Sequence, residues 1–151
     1  MNTSEHAYWM DKALQQAMLA RDRDEIPVGA VLVKDGILIL AEHNRTREND
    51  NPLAHAEKLI VDKILSRKIK YLYEYSLYVT LEPCLMCAGS LIWSRLGTLV
   101  FGASDPKAGA VGSIYNVLTD KSFNHHPVVV RGVMESQCSS LLSEFFKKKR
   151  Q

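Results

Sequence analysis

The chain has 151 residues, of which 46% are hydrophobic and 24% are charged, and its formal net charge is +2. These values are typical of an ordinary globular protein, and we expect residues 1–151 to form a single domain. The small net charge excludes nucleic-acid binding driven by overall charge, so any basic patch must come from local clustering. Three cysteines exclude a disulfide framework, and the absence of a long apolar run predicts a cytoplasmic protein without a membrane partner.

The first half of the chain predicts a helix followed by a β-hairpin. Apolar residues recur at helical spacing from Thr3 or Ser4 to about Ala20. A buried type of strand follows at 26–33, and Asp35-Gly36 predicts a tight turn into a return strand at 37–41. Gly29 lies inside the first strand, which indicates a bulge or the close approach of another backbone or ligand; a simple packing glycine is an equal alternative.

The second half predicts helices that alternate with strands. A polar loop at 42–52 leads into a helix that ends near 66–68, with His55 and Glu57 in its first turn. Further strands are predicted at 77–81, 98–102 and 128–130, and further helices at 83–94 and 136–150, with Pro83 at the first helical position. A long loop covers 103–113. This alternation predicts an α/β fold, a three-layer α/β/α sandwich around a five-stranded mixed sheet.

Two short motifs predict a metal site. Cys84 and Cys87 are three residues apart at a predicted helix start, where the N–H groups and the helix dipole favour the thiolate. His55 in His55-Ala56-Glu57 is the candidate third ligand, and H-x-E followed by P-C-x-x-C is the signature of zinc nucleobase deaminases. Three protein ligands leave one position for water, which is typical of a catalytic zinc, so we expect one Zn²⁺ per chain with Glu57 as the proton carrier. The alternatives are a structural zinc or simple buried thiols. A structural zinc usually takes a fourth protein ligand, and the remaining candidates, His43, His125 and His126, are in loop-type positions.

With these motifs located, the chain resembles bacterial tRNA-specific adenosine deaminases, a family with a cytidine deaminase-like fold, over nearly its whole length. The resemblance implies zinc-dependent hydrolysis of adenosine to inosine at the wobble position of a tRNA anticodon stem-loop, by a homodimer. It also implies that Glu57 moves protons during attack at C6 of adenine. Besides the zinc motifs, the resemblance is carried by residues 25–33, 44–45, 80–84, 87–89, 124–125 and 143–146.

The resemblance also assigns substrate contacts. Asn44 has a carbonyl and an amide that suit a purine nucleoside, and Asp105 and Lys107 would face the RNA, with Asp105 accepting from a 2′-hydroxyl. As bare residues, Asn44 would be an Asx-turn residue in a polar loop, and the two charges would be solvated. The other implied contacts are Val28, Ala56, Asn124 and Phe146. Phe146 has core packing as its alternative.

Four residues depart from the usual family pattern, on loops that the family uses around its RNA: Asn51, Leu53, Ser104 and Pro106.

The basic cluster at 147–150 is either a phosphate-attracting group or a frayed helix end. Cys138 is predicted in the core, and Glu82 is predicted as a helix cap that supports the site. The apolar run around Met86, Leu91 and Ile92 favours a homodimer.

Two other functions compete with this assignment. One is a free guanine- or cytosine-type nucleobase or nucleoside deaminase, which would share the zinc chemistry. The other is a non-enzymatic RNA-binding subunit that keeps the fold. The intact Glu57 argues against the second, because a subunit without catalysis needs no proton carrier.

Overall fold

The computed structural model describes residues 3–151, and every predicted helix and strand is present within them. Most element ends differ from the predictions by one to three residues, which is the usual uncertainty of helix and strand ends. In chain order the elements are α1 (Thr3–Asp22), β1 (Gly29–Lys34), β2 (Ile37–His43), α2 (Ala56–Leu65), β3 (Tyr75–Leu81), α3 (Leu85–Trp93), β4 (Thr98–Ala103), a 3₁₀ turn (Val117–Thr119), β5 (Val128–Arg131) and α4 (Glu135–Lys149).

The five strands form one mixed sheet, as predicted, and their order in it is β2-β1-β3-β4-β5. The strand β1 pairs antiparallel with β2 and β3, whereas β3, β4 and β5 run parallel. Asp35 and Gly36 connect β1 to β2 with φ angles of 51° and 71°, the left-handed conformations that a tight hairpin turn requires. The parallel connection from β3 to β4 runs through α3, so α3 begins at the carboxyl end of β3.

Helices cover both faces of the sheet, which confirms the three-layer prediction. Alternate residues of β1 point to opposite faces: Ala30 and Leu32 pack with α2 and α3, and Val31 and Val33 pack with α1 and α4. Cys138 is buried in the second of these cores, as predicted. Within residues 3–151 no helix combines the length and the hydropathy needed to cross a membrane.

Gly29 is where α1 packs directly onto the sheet. A Cβ atom at this position would overlap the carbonyl oxygen of Ala13 and the amide nitrogen of Ala17, both in the α1 backbone. The prediction that another backbone approaches closely here is therefore confirmed, and a side chain would push α1 off the sheet.

Two elements begin two or three residues later than predicted. The helix α3 begins at Leu85 rather than Pro83, because the Pro83 carbonyl accepts a hydrogen bond from Ala110 N–H at 2.9 Å and Cys84 pairs with Gly109. Residues 83 and 84 are thus extended and paired with a loop. The strand β1 begins at Gly29 rather than at residue 26.

Candidate active site

The starts of two helices bring the three predicted metal ligands together. His55 is the N-cap residue of α2 and Cys84 is the N-cap residue of α3, both with extended backbone, and Cys87 lies in the first turn of α3. Among the described residues the His55 side chain makes no capping hydrogen bond to α2, and the Cys84 thiol bonds to His55 and Cys87, the other two candidate ligands. Both side chains are therefore available to point across the gap between the helices.

The spacing of the three ligand atoms fits a tetrahedral zinc ion. The Nδ1 atom of His55 lies 3.6 Å from the Sγ atoms of both Cys84 and Cys87. Zinc that lies ~2.3 Å from sulfur and ~2.0–2.1 Å from nitrogen at a tetrahedral angle gives a sulfur–nitrogen distance of ~3.5–3.6 Å. Within residues 3–151 these three side chains form the one group of histidine, cysteine or acidic residues spaced to hold a metal ion.

The hydrogen bond between the two thiols makes one of them more acidic and the other less acidic. A hydrogen bond from Cys87, together with one from His55, lowers the pKa of Cys84 to about 4. The pKa of Cys87 is raised, because its proton is held by Cys84 and because it is buried. Cys84 would therefore contribute a thiolate to a metal site, and a bound cation would take the place of the proton that the two sulfurs share.

Glu57 is buried one residue beyond the start of α2. The residue is 4% exposed, and the burial of its carboxyl group raises the pKa of Glu57 to about 7. Glu57 is the second residue of α2, so its predicted place in the first turn is confirmed, whereas His55 lies one residue before the helix, at the N-cap. A carboxyl group whose pKa is near neutrality can both take up and release a proton.

A cavity of about 160 Å³ opens beside these residues. Asn44 lies in its wall and accepts a hydrogen bond from Ala56 N–H at 2.9 Å through Oδ1. Asn44 is therefore not a local Asx-turn residue, because its bond spans twelve residues and holds the start of α2. The cavity is lined by Ile26, Val28, Asn44, His55, Glu57, Leu81, Glu82, Cys84, Asp105 and Ala108.

A wider groove of about 610 Å³ continues from this cavity, with Ile26, Leu81 and Asp105 in both linings. Lys107 and Arg150 provide positive charge along it, and Phe146, which is 41% exposed, provides an aromatic face. Three predicted substrate residues, Asp105, Lys107 and Phe146, are thus brought to one groove. The core-packing alternative for Phe146 does not hold.

The sequence profile of a known family matches residues 3–103, the family described as the cytidine and deoxycytidylate deaminase zinc-binding region. The tRNA-specific adenosine deaminase of Bacillus subtilis (strain 168) is 43% identical, over 94% of this chain and 89% of its own length. That of Aquifex aeolicus (strain VF5) is 43% identical over 95% of both chains. A solved structure from a study of A-to-I editing by tRNA:A34 deaminases at the wobble position of transfer RNA superposes with a TM-score of 0.84. It is 41% identical and covers 89% of this chain and 99% of its own.

This chain belongs to the tRNA-specific adenosine deaminase family. It is a zinc-dependent enzyme with the cytidine deaminase-like fold, which confirms the predicted chemistry and cofactor. Membership in an enzyme family disfavours the reading as a non-enzymatic RNA-binding subunit.

Two predicted substrate residues of the deaminase, Ala56 and Asn124, line neither the cavity nor the groove. The N–H of Ala56 is taken by Asn44 at the start of α2. Asn124 accepts a hydrogen bond from Arg95 at 2.6 Å and lies beside Trp93 and Phe123 in a separate surface pocket. Asn124 therefore does not meet the other candidate residues within this chain.

Of the departures from the family pattern, Ser104 and Pro106 line the groove of the deaminase, next to Asp105. Asn51 and Leu53 are exposed in the loop before α2 and do not line it. The pair at 104 and 106 is therefore placed to alter what the groove accepts.

Sequence reasoning missed the roles of two buried carboxylates in the deaminase. Glu82 is not a helix cap, because it bonds to the 105–113 loop instead. Glu25 is 1% exposed and accepts hydrogen bonds from the N–H groups of Arg47 and Glu48, which holds the loop after β2. In a sequence a buried acidic residue resembles a solvated one, so neither role had a signal before the fold was known.

Proposed function

We propose that this deaminase converts adenosine to inosine at the wobble position of a tRNA anticodon loop. The observation that carries the proposal is the 3.6 Å spacing of His55 with Cys84 and Cys87 beside a cavity that opens into a basic, aromatic groove. The pairing of a metal site with a groove suited to a nucleic acid fits a base that is edited within a polymer.

In this proposal His55, Cys84 and Cys87 hold the zinc ion. Zinc, when bound, supplies an activated water molecule at neutral pH. Glu57 takes one proton from the attacking water and delivers it to N1 of adenine. It then takes the remaining water proton from the new C6 hydroxyl and passes it to the amino group, so the C6–N bond breaks, ammonia leaves and the C6 carbonyl of inosine forms. Its raised pKa suits this exchange, because the same group must accept and donate a proton in one cycle.

The base is bound in the cavity, which excludes bulk water from the reaction. Asn44 keeps Oδ1 on Ala56 N–H, so its amide nitrogen is the part available to the substrate. Val28 supplies an apolar wall, and Ala56 contributes by holding Asn44 in place. An unpaired loop nucleotide can enter such a site without the cost of opening a duplex.

The neighbouring nucleotides are bound along the groove. Lys107 and Arg150 face the phosphates, Phe146 offers a surface for stacking, and Asp105 accepts from a 2′-hydroxyl. Lys149 is engaged in an ion pair with Asp24, so the basic cluster at 147–150 serves partly to anchor α4. The alternative function, deamination of a free base or nucleoside, has no use for these features.

The test is incubation of the zinc enzyme with a pool of tRNA, followed by sequencing. Adenosine read as guanosine at the wobble position is the expected result. Guanine, cytosine and cytidine are offered in parallel assays. Turnover of a free base with an unchanged tRNA pool would refute the proposal in favour of the alternative.

We further propose that residues 1–151 act as one deaminase domain and that two such chains form a homodimer. Because tRNA is the proposed substrate, we place the enzyme in the cytoplasm. The predicted basis for the dimer has changed, because Leu91 and Ile92 are buried in the core. Met86 is half-buried, and Leu85 and Trp93, 53% and 82% exposed at opposite ends of α3, are the most exposed apolar side chains of this helix and the ones we assign to a partner. Sedimentation should give twice the 17.0 kDa mass of the chain. A single species at the chain mass would count against the dimer.

A further inference from the structure

Glu82 is a buried carboxylate at the end of β3, and the 105–113 loop supplies its hydrogen bonds. It is 2% exposed. Its Oε1 accepts from Asp105 N–H at 3.0 Å and from the Ser113 hydroxyl at 2.5 Å. Its Oε2 accepts from Val111 N–H at 2.9 Å and Ser113 N–H at 3.1 Å. Both oxygens are therefore used, each by two donors of one loop.

The loop closes over this carboxylate at Gly109. A Cβ atom on Gly109 would overlap the carboxyl group of Glu82, so the loop needs glycine there. On its other side the loop pairs with the backbone of the metal-ligand segment, through the bridge between Gly109 and Cys84 and the bond from Ala110 N–H to the Pro83 carbonyl. One rigid unit thus contains a metal ligand and the whole loop.

The same loop carries the groove residues Asp105 and Lys107. The Oδ1 atom of Asp105 accepts from the N–H groups of Lys107 and Ala108 at 3.0 and 3.2 Å. Its backbone N–H is bound by Glu82. Asp105 is therefore fixed at both its backbone and one side-chain oxygen, and Oδ2 is the atom left to face the groove within the described chain.

We infer that Glu82 is a positioning residue for RNA recognition: it sets the distance between the metal site and the RNA-facing loop. This inference rests on the proposed function. Glu82 lies in the cavity wall, but both of its oxygens are bonded to the loop, so it is not assigned a contact with the reacting atoms. It acts through Asp105 and the loop backbone, so its loss should weaken RNA binding and the discrimination against DNA more than it slows the chemical step.

The amide variant Glu82→Gln tests this with little change in shape. A glutamine has one acceptor oxygen, so it can accept from the loop donors on one side only. On the other side its NH₂ group would face loop N–H donors, and this contact would be repulsive. Ser113→Ala is a milder second variant that removes one donor and leaves the carboxylate intact. The matched control is Glu42→Gln, a carboxylate with the same 2% exposure that bonds to Arg45 and Lys63 instead of this loop.

The first readout is amide hydrogen exchange by mass spectrometry in peptides covering 104–113, on the zinc-loaded proteins. Exchange should become faster in Glu82→Gln and, to a smaller degree, in Ser113→Ala, while zinc content is retained. Glu42→Gln should leave this segment at the rate of the parent enzyme. Parent-like exchange in both Glu82→Gln and Ser113→Ala would overturn the inference.

The second readout is steady-state kinetics on matched RNA and DNA hairpins. Glu82→Gln should raise KM for RNA by roughly tenfold with a smaller change in kcat, and the ratio of RNA to DNA rates should fall. Equal KM effects in Glu82→Gln and Glu42→Gln would mean general destabilisation and would overturn the inference. If Glu82→Gln does not fold, the test is made on Ser113→Ala, in which KM for RNA should also rise and the ratio of RNA to DNA rates should also fall. A parent enzyme that is inactive on tRNA would instead refute the proposed function, which separates the two failures.

Discussion

The Oδ1 atom of Asn44 accepts a hydrogen bond from Ala56 N–H at 2.9 Å, between the metal ligand His55 and the buried Glu57. This bond satisfies one of the N–H groups that a helix start leaves without a partner. It also fixes the side chain of Asn44 in the cavity wall. The same residue therefore supports the site and is available to the substrate.

The two roles of Asn44 can be separated by substitution. Asn44→Asp keeps an acceptor for Ala56 N–H but loses the amide donor, so we expect a near-parent unfolding midpoint and a large loss of kcat/KM. Asn44→Ala should lose both the acceptor for Ala56 N–H and the amide donor, and its free energy of unfolding should fall by ~1–3 kcal/mol. Urea unfolding and steady-state kinetics measure the two effects. Parent-like kinetics in Asn44→Asp would show that the residue has no role beyond structure.

The zinc site should depend on Cys87 and not on Cys138. The parent enzyme is expected to hold roughly one zinc per chain, and Cys87→Ala should lose it and become less stable. Cys138→Ser is the matched control, because it changes a buried thiol in the other core and should keep zinc and activity. Elemental analysis gives the metal content. Full zinc in Cys87→Ala would refute the ligand assignment.

Glu57 should be needed for turnover and not for binding. Glu57→Ala removes the proton carrier, and we expect deamination to fall by at least ~10²–10⁴-fold while zinc content and RNA affinity stay close to the parent values. Single-turnover rates and a binding titration measure these separately. A rate within a few-fold of the parent would show that another group carries the proton.

Asp105 should decide between RNA and DNA. Its Oδ1 holds the turn through Lys107 and Ala108, so Asp105→Asn keeps the turn and changes the outer atom from acceptor to donor. Against DNA the parent carboxylate lacks its 2′-hydroxyl partner, which costs roughly 1–3 kcal/mol. RNA hairpins should therefore react faster than matched DNA hairpins, and the variant should narrow the difference. If the parent enzyme deaminates the RNA and DNA hairpins at equal rates, the proposed RNA specificity is refuted.

The stability contribution of Glu42 should vanish in acid. Burial disfavours its charge, but hydrogen bonds from Lys63, Arg45 and the His43 N–H outweigh burial and hold the pKa of Glu42 below its usual 4.5. Its folded pKa is lower than its unfolded one, so its stabilisation is present above pH 4.5 and is lost as pH falls through the folded pKa. Glu42→Gln should cost about 1–3 kcal/mol at pH 7 and progressively less below pH 4.5. A pH-independent difference in urea unfolding would contradict this.

The sequence by itself determined the metal ligands and the layers of the fold, and it predicted Glu57 as the proton carrier. His55, Cys84 and Cys87 were identifiable because metal binding requires particular atoms at short spacing, and the core was identifiable because burial imposes periods of 2 and 3.6 residues on apolar side chains. Motif spacing and apolar periodicity both involve residues that are close together in the sequence, so both can be read without the fold.

Tertiary structure alone decided how the site is supported and what lies beside it. Glu82 bonds to a loop more than twenty residues away, and Asn44 bonds across twelve residues to Ala56. It also decided that α3 begins at Leu85, because Pro83 and Cys84 pair with the loop that Glu82 holds. A hydrogen bond between distant segments leaves no periodic trace in a sequence, since any acidic or amide side chain can make it once the fold brings the donors within reach.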